Sequence, residues 1–133
     1  MISNDLNIKP LEKIFDLFPQ VKLVYFFGSR ATDKAGPLSD YDFAVFLDEK
    51  DFKKRFDIRL GLLDKFSHEL KTDNIDLLVL NDIQSPELKY SIISSGKLIY
   101  EIEPYKILLE PMIFSEYFDF TDSLQRYGLT KNI

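Results

Sequence analysis

At 133 residues, with 45% hydrophobic and 14% aromatic side chains, the chain has enough apolar mass for one folded domain spanning 1–133. It is too short for a catalytic domain joined to a separate substrate domain. It contains no cysteine, which removes disulfides and thiolate metal sites. The formal charge of −5, with no concentrated basic face, argues against a polymerase and predicts no direct nucleic-acid partner. No apolar run approaches the roughly 18 residues of a membrane span, so no membrane partner and a cytoplasmic location are expected.

Pro10 suits the first turn of a helix running through Phe18, with Ile14, Leu17 and Phe18 on one face and Pro19 beyond its end. The nearly continuous apolar run Val21 to Phe27 predicts a central strand. Residues 31 to 39, with Gly36-Pro37, read as a loop, followed by a strand from Tyr41 to Leu47. Lys50 to Leu70 predicts one long helix whose apolar stripe is Phe52, Phe56, Leu60, Leu63 and Phe66. A third strand covers Ile75 to Leu80. The next helix takes Ser85 as N-cap with Pro86 behind it and Glu87 in its first turn, and ends near Gly96. A short strand, Leu98 to Glu101, returns to the sheet. From Pro104 to Tyr127 the pattern is helical, and Pro111, which lacks the N–H an interior bond needs, is expected to kink or split that helix. Residues 101–123 carry six acids against Lys106 alone, together with many aromatics, and this acidic, aromatic segment is a candidate docking surface as well as candidate core.

The chemistry concentrates in Gly28-Ser29 and, ten residues on, Asp40-Tyr41-Asp42. A glycine-serine turn at a strand end lets backbone N–H groups and a hydroxyl approach phosphate oxygens. In a strand beginning at Tyr41, Asp40 and Asp42 point one way and Tyr41 the other. Two carboxylates on one face repel unless a proton or cation lies between them, which points to Mg²⁺. Asp76 adds a third acid at the mouth of a separate strand. Each group also has a plainer reading as a turn residue, and it is the three together that point to a site. Arg30 follows the turn directly and is placed either to reach a triphosphate oxygen or to pair with Asp40 or another acid. His68, the only histidine, lies on the long helix away from the motif and reads as structural. Lys89 is a weaker candidate for a triphosphate contact.

In Gly28-Ser29-Arg30-Ala31, Ser39-Asp40-Tyr41-Asp42-Phe43-Ala44-Val45 and Ile75-Asp76-Leu77, the chain resembles the minimal nucleotidyltransferases, or MNT proteins, of the DNA polymerase beta superfamily. The likeness extends over residues 9 to about 103. Tyr41 departs from it, standing where an aliphatic residue is usual between the acids, as does Pro111. The resemblance implies an α/β (α+β) fold of the polymerase-beta type, a small mixed sheet of about four strands flanked by helices, with a C-terminal helical segment over about 104–128. It also implies Mg²⁺-dependent transfer of a nucleotide, with Asp40, Asp42 and Asp76 holding two Mg²⁺ ions and Gly28, Ser29, Arg30, Asp40 and Asp42 binding ATP. Asp76 is then the acceptor-side group. By the same resemblance, proteins of this size are antitoxins that move AMP from ATP to a tyrosine of a HEPN-type RNase toxin, with which a hetero-oligomer is expected. An aminoglycoside-type nucleotidyltransferase and an antitoxin acting by binding alone are the alternatives.

Overall fold

The computed structural model describes residues 7–32 and 40–128. Most of the loop expected over 31–39, including Ser39, lies outside the described residues. In chain order the elements are α1 (Ile8–Asp16), β1 (Val21–Phe27), a 3-10 turn (Ser29–Thr32), β2 (Tyr41–Leu47), α2 (Phe52–Leu70), β3 (Ile75–Val79), a second 3-10 turn (Leu80–Asp82), α3 (Pro86–Ser95), β4 (Lys97–Glu101) and α4 (Tyr105–Arg126). The sheet order is β3-β2-β1-β4. β1 is antiparallel to both β2 and β4, whereas β2 and β3 run parallel, their crossover made by α2. The near-continuous apolar character of β1 fits its interior place, covered on both faces.

An irregularity at Lys22 decides which side chains face which layer. Val21 pairs with Leu47 and Leu23 with Phe46, so Lys22 is an extra residue in β1 and the alternation changes phase there. As a result Val21, Val24 and Phe26 join Phe43, Val45, Leu47, Leu77 and Val79 against α1 and α2. Leu23 and Tyr25 instead join Ala44 and, from the helices, Ile92, Ile93 and Ile113 on the α3/α4 side. On the first face Phe15, Phe66 and Phe43 form a chain of one edge-on and one tilted ring contact, with centroids 5.7 and 4.7 Å apart.

Helix termini largely follow their local signals. Ser85 Oγ accepts from Leu88 N–H at 3.1 Å and Pro86 opens α3, while Asp51 caps α2 by accepting from Lys54 N–H. α1 begins two residues before Pro10, with Asn7 as its cap; Pro10 still lies in the first turn, where its missing N–H has no intrahelical acceptor. Its buried face is Leu11, Ile14 and Phe15, and Leu17 is exposed, because the helix ends at Asp16 and Leu17 turns away from the core.

Two further expectations are corrected. The stripe assigned to α2 is buried only toward its C-terminal half, at Leu62 and Phe66, with Leu63 packed at the margin. Phe52, Phe56 and Leu60 are exposed, because the N-terminal half of α2 overhangs the edge strand β3. There Phe52 and Phe56 border a cavity of about 260 Å³ with Leu77, Val79 and Ile83. Arg59 closes part of that edge by donating to the Leu77 carbonyl at 2.7 Å. The second correction concerns the expected split in α4, which runs as one helix through Pro111. The carbonyl that loses its partner there belongs to Ile107, a residue 75% exposed on the solvent side of the helix, where hydration offsets the missing bond and the helix need not break.

α4 is fastened by polar contacts as well as packing. The hydroxyl of the buried Tyr25 donates to Glu110 Oε2 at 2.6 Å, and Tyr105 donates to Asp48 Oδ2 at 2.8 Å. Burial first, then the bond to Glu110 and the charges of Glu110 and Glu101, push the Tyr25 phenol well above its ordinary range. Tyr25 therefore remains an uncharged donor.

Candidate active site

The carboxylates lie where two parallel strands begin. In the β2–β3 ladder Asp42 is directly opposite Asp76, which sets the two chains about 4.8 Å apart at that point. Because Phe43 and Leu77 are buried against α1 and α2, Asp42 and Asp76 both emerge on the other face. Asp40 precedes β2 and is exposed, Asp76 is exposed, and Asp42 is half-buried. The strand start is pinned by Tyr41 N–H donating to the Asn74 carbonyl at 2.9 Å, which keeps the two strand mouths level.

Asp42 carries the electrostatic consequence. Its carboxyl is pushed up from 3.8 to about 6, first by partial burial and then by the negative charges of Asp76 and Asp40. A carboxylate so placed favours a proton, or a cation in its stead. Among the described residues no group of three or more acidic, His or Cys side chains, the Asp40, Asp42 and Asp76 trio included, is arranged to hold a metal ion by itself. Mg²⁺ commonly takes one or two carboxylates and completes its shell with water and substrate phosphates, so an open cluster of this charge suits it.

The turn after β1 meets the same cluster from the opposite strand. Phe27 pairs with Asp42, and Gly28 follows at φ +82°, where a Cβ would overlap the Asp42 carboxylate. Glycine is therefore required twice, by its backbone angle and by the space that Asp42 fills. Ser29 and Arg30 open the 3-10 turn, which is held by Ala31 N–H donating to the Gly28 carbonyl at 3.1 Å and by the buried Ala31 side chain. The guanidinium of Arg30 lies over the Tyr41 ring, 4.3 Å from its centroid. That contact was not legible in the sequence, although the unusual aromatic between the acids was a signal for it.

Other candidates fall elsewhere. His68 is exposed on α2, its Nδ1 2.9 Å from the Asp64 carbonyl. Lys89 pairs with Glu116 at 2.7 Å beside Phe46, Asn81 and Met112, toward the far end of β2, and so is not part of the carboxylate cluster.

A glycine turn packed on one of several carboxylates at adjacent strand mouths is an arrangement chemically suited to phosphates and cations. The chain belongs to the polymerase beta nucleotidyltransferase family, whose model matches residues 9–105. It is similar to the protein adenylyltransferase MntA of Aphanizomenon flos-aquae (strain 2012/KM1/D3), at 31% identity across 73% of this chain, and the match spans 65% of that relative's length, just under two thirds. A crystal structure of a toxin–antitoxin with AMP-PNP is similar at 25% identity with a TM-score of 0.74, over 92% of this chain and 95% of that one. In fold it also matches a structure described as tri-AMPylated Shewanella oneidensis HEPN toxin in complex with MNT antitoxin, at 24% identity and a TM-score of 0.63, over 89% and 92% of the two chains. No helix among the described residues is long and apolar enough to cross a membrane.

Proposed function

We propose that the chain is a Mg²⁺-dependent nucleotidyltransferase that moves AMP from ATP to a tyrosine hydroxyl of a HEPN-type RNase toxin and thereby acts as its antitoxin. The observation that carries this reading is the juxtaposition of Asp42 and Asp76 in register, with the Gly28 backbone packed on the Asp42 carboxylate. The adenylyltransferase relative and the AMP-PNP-bound toxin–antitoxin neighbour support the choice of nucleotide and partner.

Asp40 and Asp42 would hold the cation that accompanies the triphosphate and, together with Asp76, the one on the acceptor side. Bound Mg²⁺ would stabilise the attacking and leaving oxygens of an in-line displacement at the α-phosphorus. Gly28 and Ser29 offer backbone N–H groups and a hydroxyl to the β- and γ-phosphates, with Arg30 beside them. Asp76, the exposed member of the in-register pair, is placed to orient the acceptor hydroxyl and receive its proton. The exposed Ile107, Leu108 and Met112 of α4 form, with Asp119, a surface suited to the toxin, in which apolar anchors give affinity and acids speed encounter with a basic partner.

The test is transfer of label from α-labelled ATP with Mg²⁺ to a cognate HEPN toxin. Label on toxin tyrosine with wild-type protein, and none with folded Asp42→Asn, is the expected result. Neutralisation of the toxin by Asp42→Asn as effectively as by wild type would instead favour an antitoxin that works by binding alone. Label appearing on an aminoglycoside rather than on protein would overturn the choice of acceptor.

A further inference from the structure

We propose that Tyr41 is a positioning residue for Arg30: its ring, on the reverse side of the strand that presents Asp42, holds the guanidinium at the phosphate end of the site. The inference rests on the nucleotide-binding reading above and assigns to Tyr41 a role that the carboxylate motif does not give it.

Both partners are fixed by independent contacts. Tyr41 is the first residue of β2, its backbone N–H bonded to Asn74. Its half-buried ring packs on the Phe26 ring, with centroids 6.3 Å apart and planes inclined by 30°. Arg30 stands on a turn anchored by the buried Ala31. The guanidinium carbon at 4.3 Å from the ring centroid is well inside the roughly 6 Å reach of a cation–π contact. Tyr41 adjoins Asp42 in the chain and Arg30 is two residues from Gly28, which Asp42 touches, so the contact sits at the same end of the sheet as the carboxylates.

The physical effect is pre-organisation. An arginine side chain gives up rotamer entropy when it is fixed on a ligand. A ring that already holds it over one face lowers that cost while leaving the charge intact. An aliphatic residue at position 41 would fill the same margin of the core without holding a cation. Tyr41 therefore acts through Arg30 and not on the nucleotide itself.

Titration calorimetry with Mg·ATP on wild type, Tyr41→Phe, Tyr41→Leu, Arg30→Ala and the Arg30→Ala/Tyr41→Leu double variant separates this from simple packing. Tyr41→Leu is expected to weaken binding by roughly three- to fivefold, Tyr41→Phe to bind like wild type, and Tyr41→Leu to have no further effect once Arg30 is alanine. Wild-type affinity in Tyr41→Leu, or the same loss with and without Arg30, would overturn the role. Should Tyr41→Leu not fold, Tyr41→Met takes its place, alone and with Arg30→Ala: a weakening that disappears once Arg30 is alanine supports the role, and unchanged affinity overturns it. Absence of Mg·ATP binding by the wild type would overturn the nucleotide reading and this inference with it. Tight wild-type binding that is indifferent to Tyr41→Leu would overturn only the role of Tyr41.

Discussion

The strand-mouth cluster and helix α4 are both acidic, yet they use their acids in opposite ways. At the mouth, partial burial first and then the charges of Asp76 and Asp40 raise the proton affinity of Asp42, so the fold there tolerates repulsion. Along α4, Glu110 accepts from Tyr25, Glu116 pairs with Lys89 and Asp122 pairs with Arg126. Glu110 and Glu116, whose donors lie on β1 and α3, hold the helix in place, whereas Asp122 pairs within it. Carboxylates gathered against one another favour a proton or a cation between them, and the paired kind can be mistaken for docking charge when residues are merely counted.

The largest expected effect comes from breaking the repulsive cluster. Asp42→Asn should lower nucleotidyl transfer by at least ~100-fold, since even outer partners of metal ligands cost 10–100-fold when removed. A folded variant, verified by circular dichroism, with near wild-type transfer would contradict the site. Gly28→Ala comes next. The added methyl meets the Asp42 carboxylate and the backbone is held at φ +82°, so the substitution should cost about 1–3 kcal/mol of stability and displace Asp42, reducing transfer as well. Normal activity and melting together would mean that the turn does not need glycine.

On α4 the converse applies. Glu110→Ala removes the acceptor of a buried phenol, so denaturant unfolding should show a loss of about 1–3 kcal/mol with Mg·ATP affinity unchanged. No loss would return Glu110 to the pool of docking charges. The smallest effect sharpens the contrast by pH. The Asp42 pKa is higher folded than unfolded, so the folded state binds more protons between about 4 and about 6. Its contribution is thus fully present below that window and lost as pH rises through it. After discounting for solvent screening this amounts to roughly 1 kcal/mol. Without Mg²⁺, the melting temperature of Asp42→Asn relative to wild type should rise across that window and then level off, and Mg²⁺ should shrink the gap. A difference independent of pH would mean that Asp42 is not electrostatically strained.

Sequence alone placed β1 and β2 at their observed bounds and β3 to within a residue, because apolar runs between turn residues are read over a few neighbours. It also placed Ser85 as a cap and Gly28, Asp40, Asp42 and Asp76 near strand ends, where type and spacing carry the information. The tertiary structure decided what depends on which residues meet across the chain. The extra residue at Lys22 set which side of β1 faces which helices, and the overhang of α2 past the edge strand left Phe52 and Phe56 outside the core. The exposure of Ile107 let α4 continue through Pro111. The pairing of Glu110 with Tyr25, the stacking of Arg30 on Tyr41 and the facing of Asp42 with Asp76 all join residues 11 to 85 positions apart. Contact and field at such separations are set by strand register and packing, which no local pattern of side chains encodes.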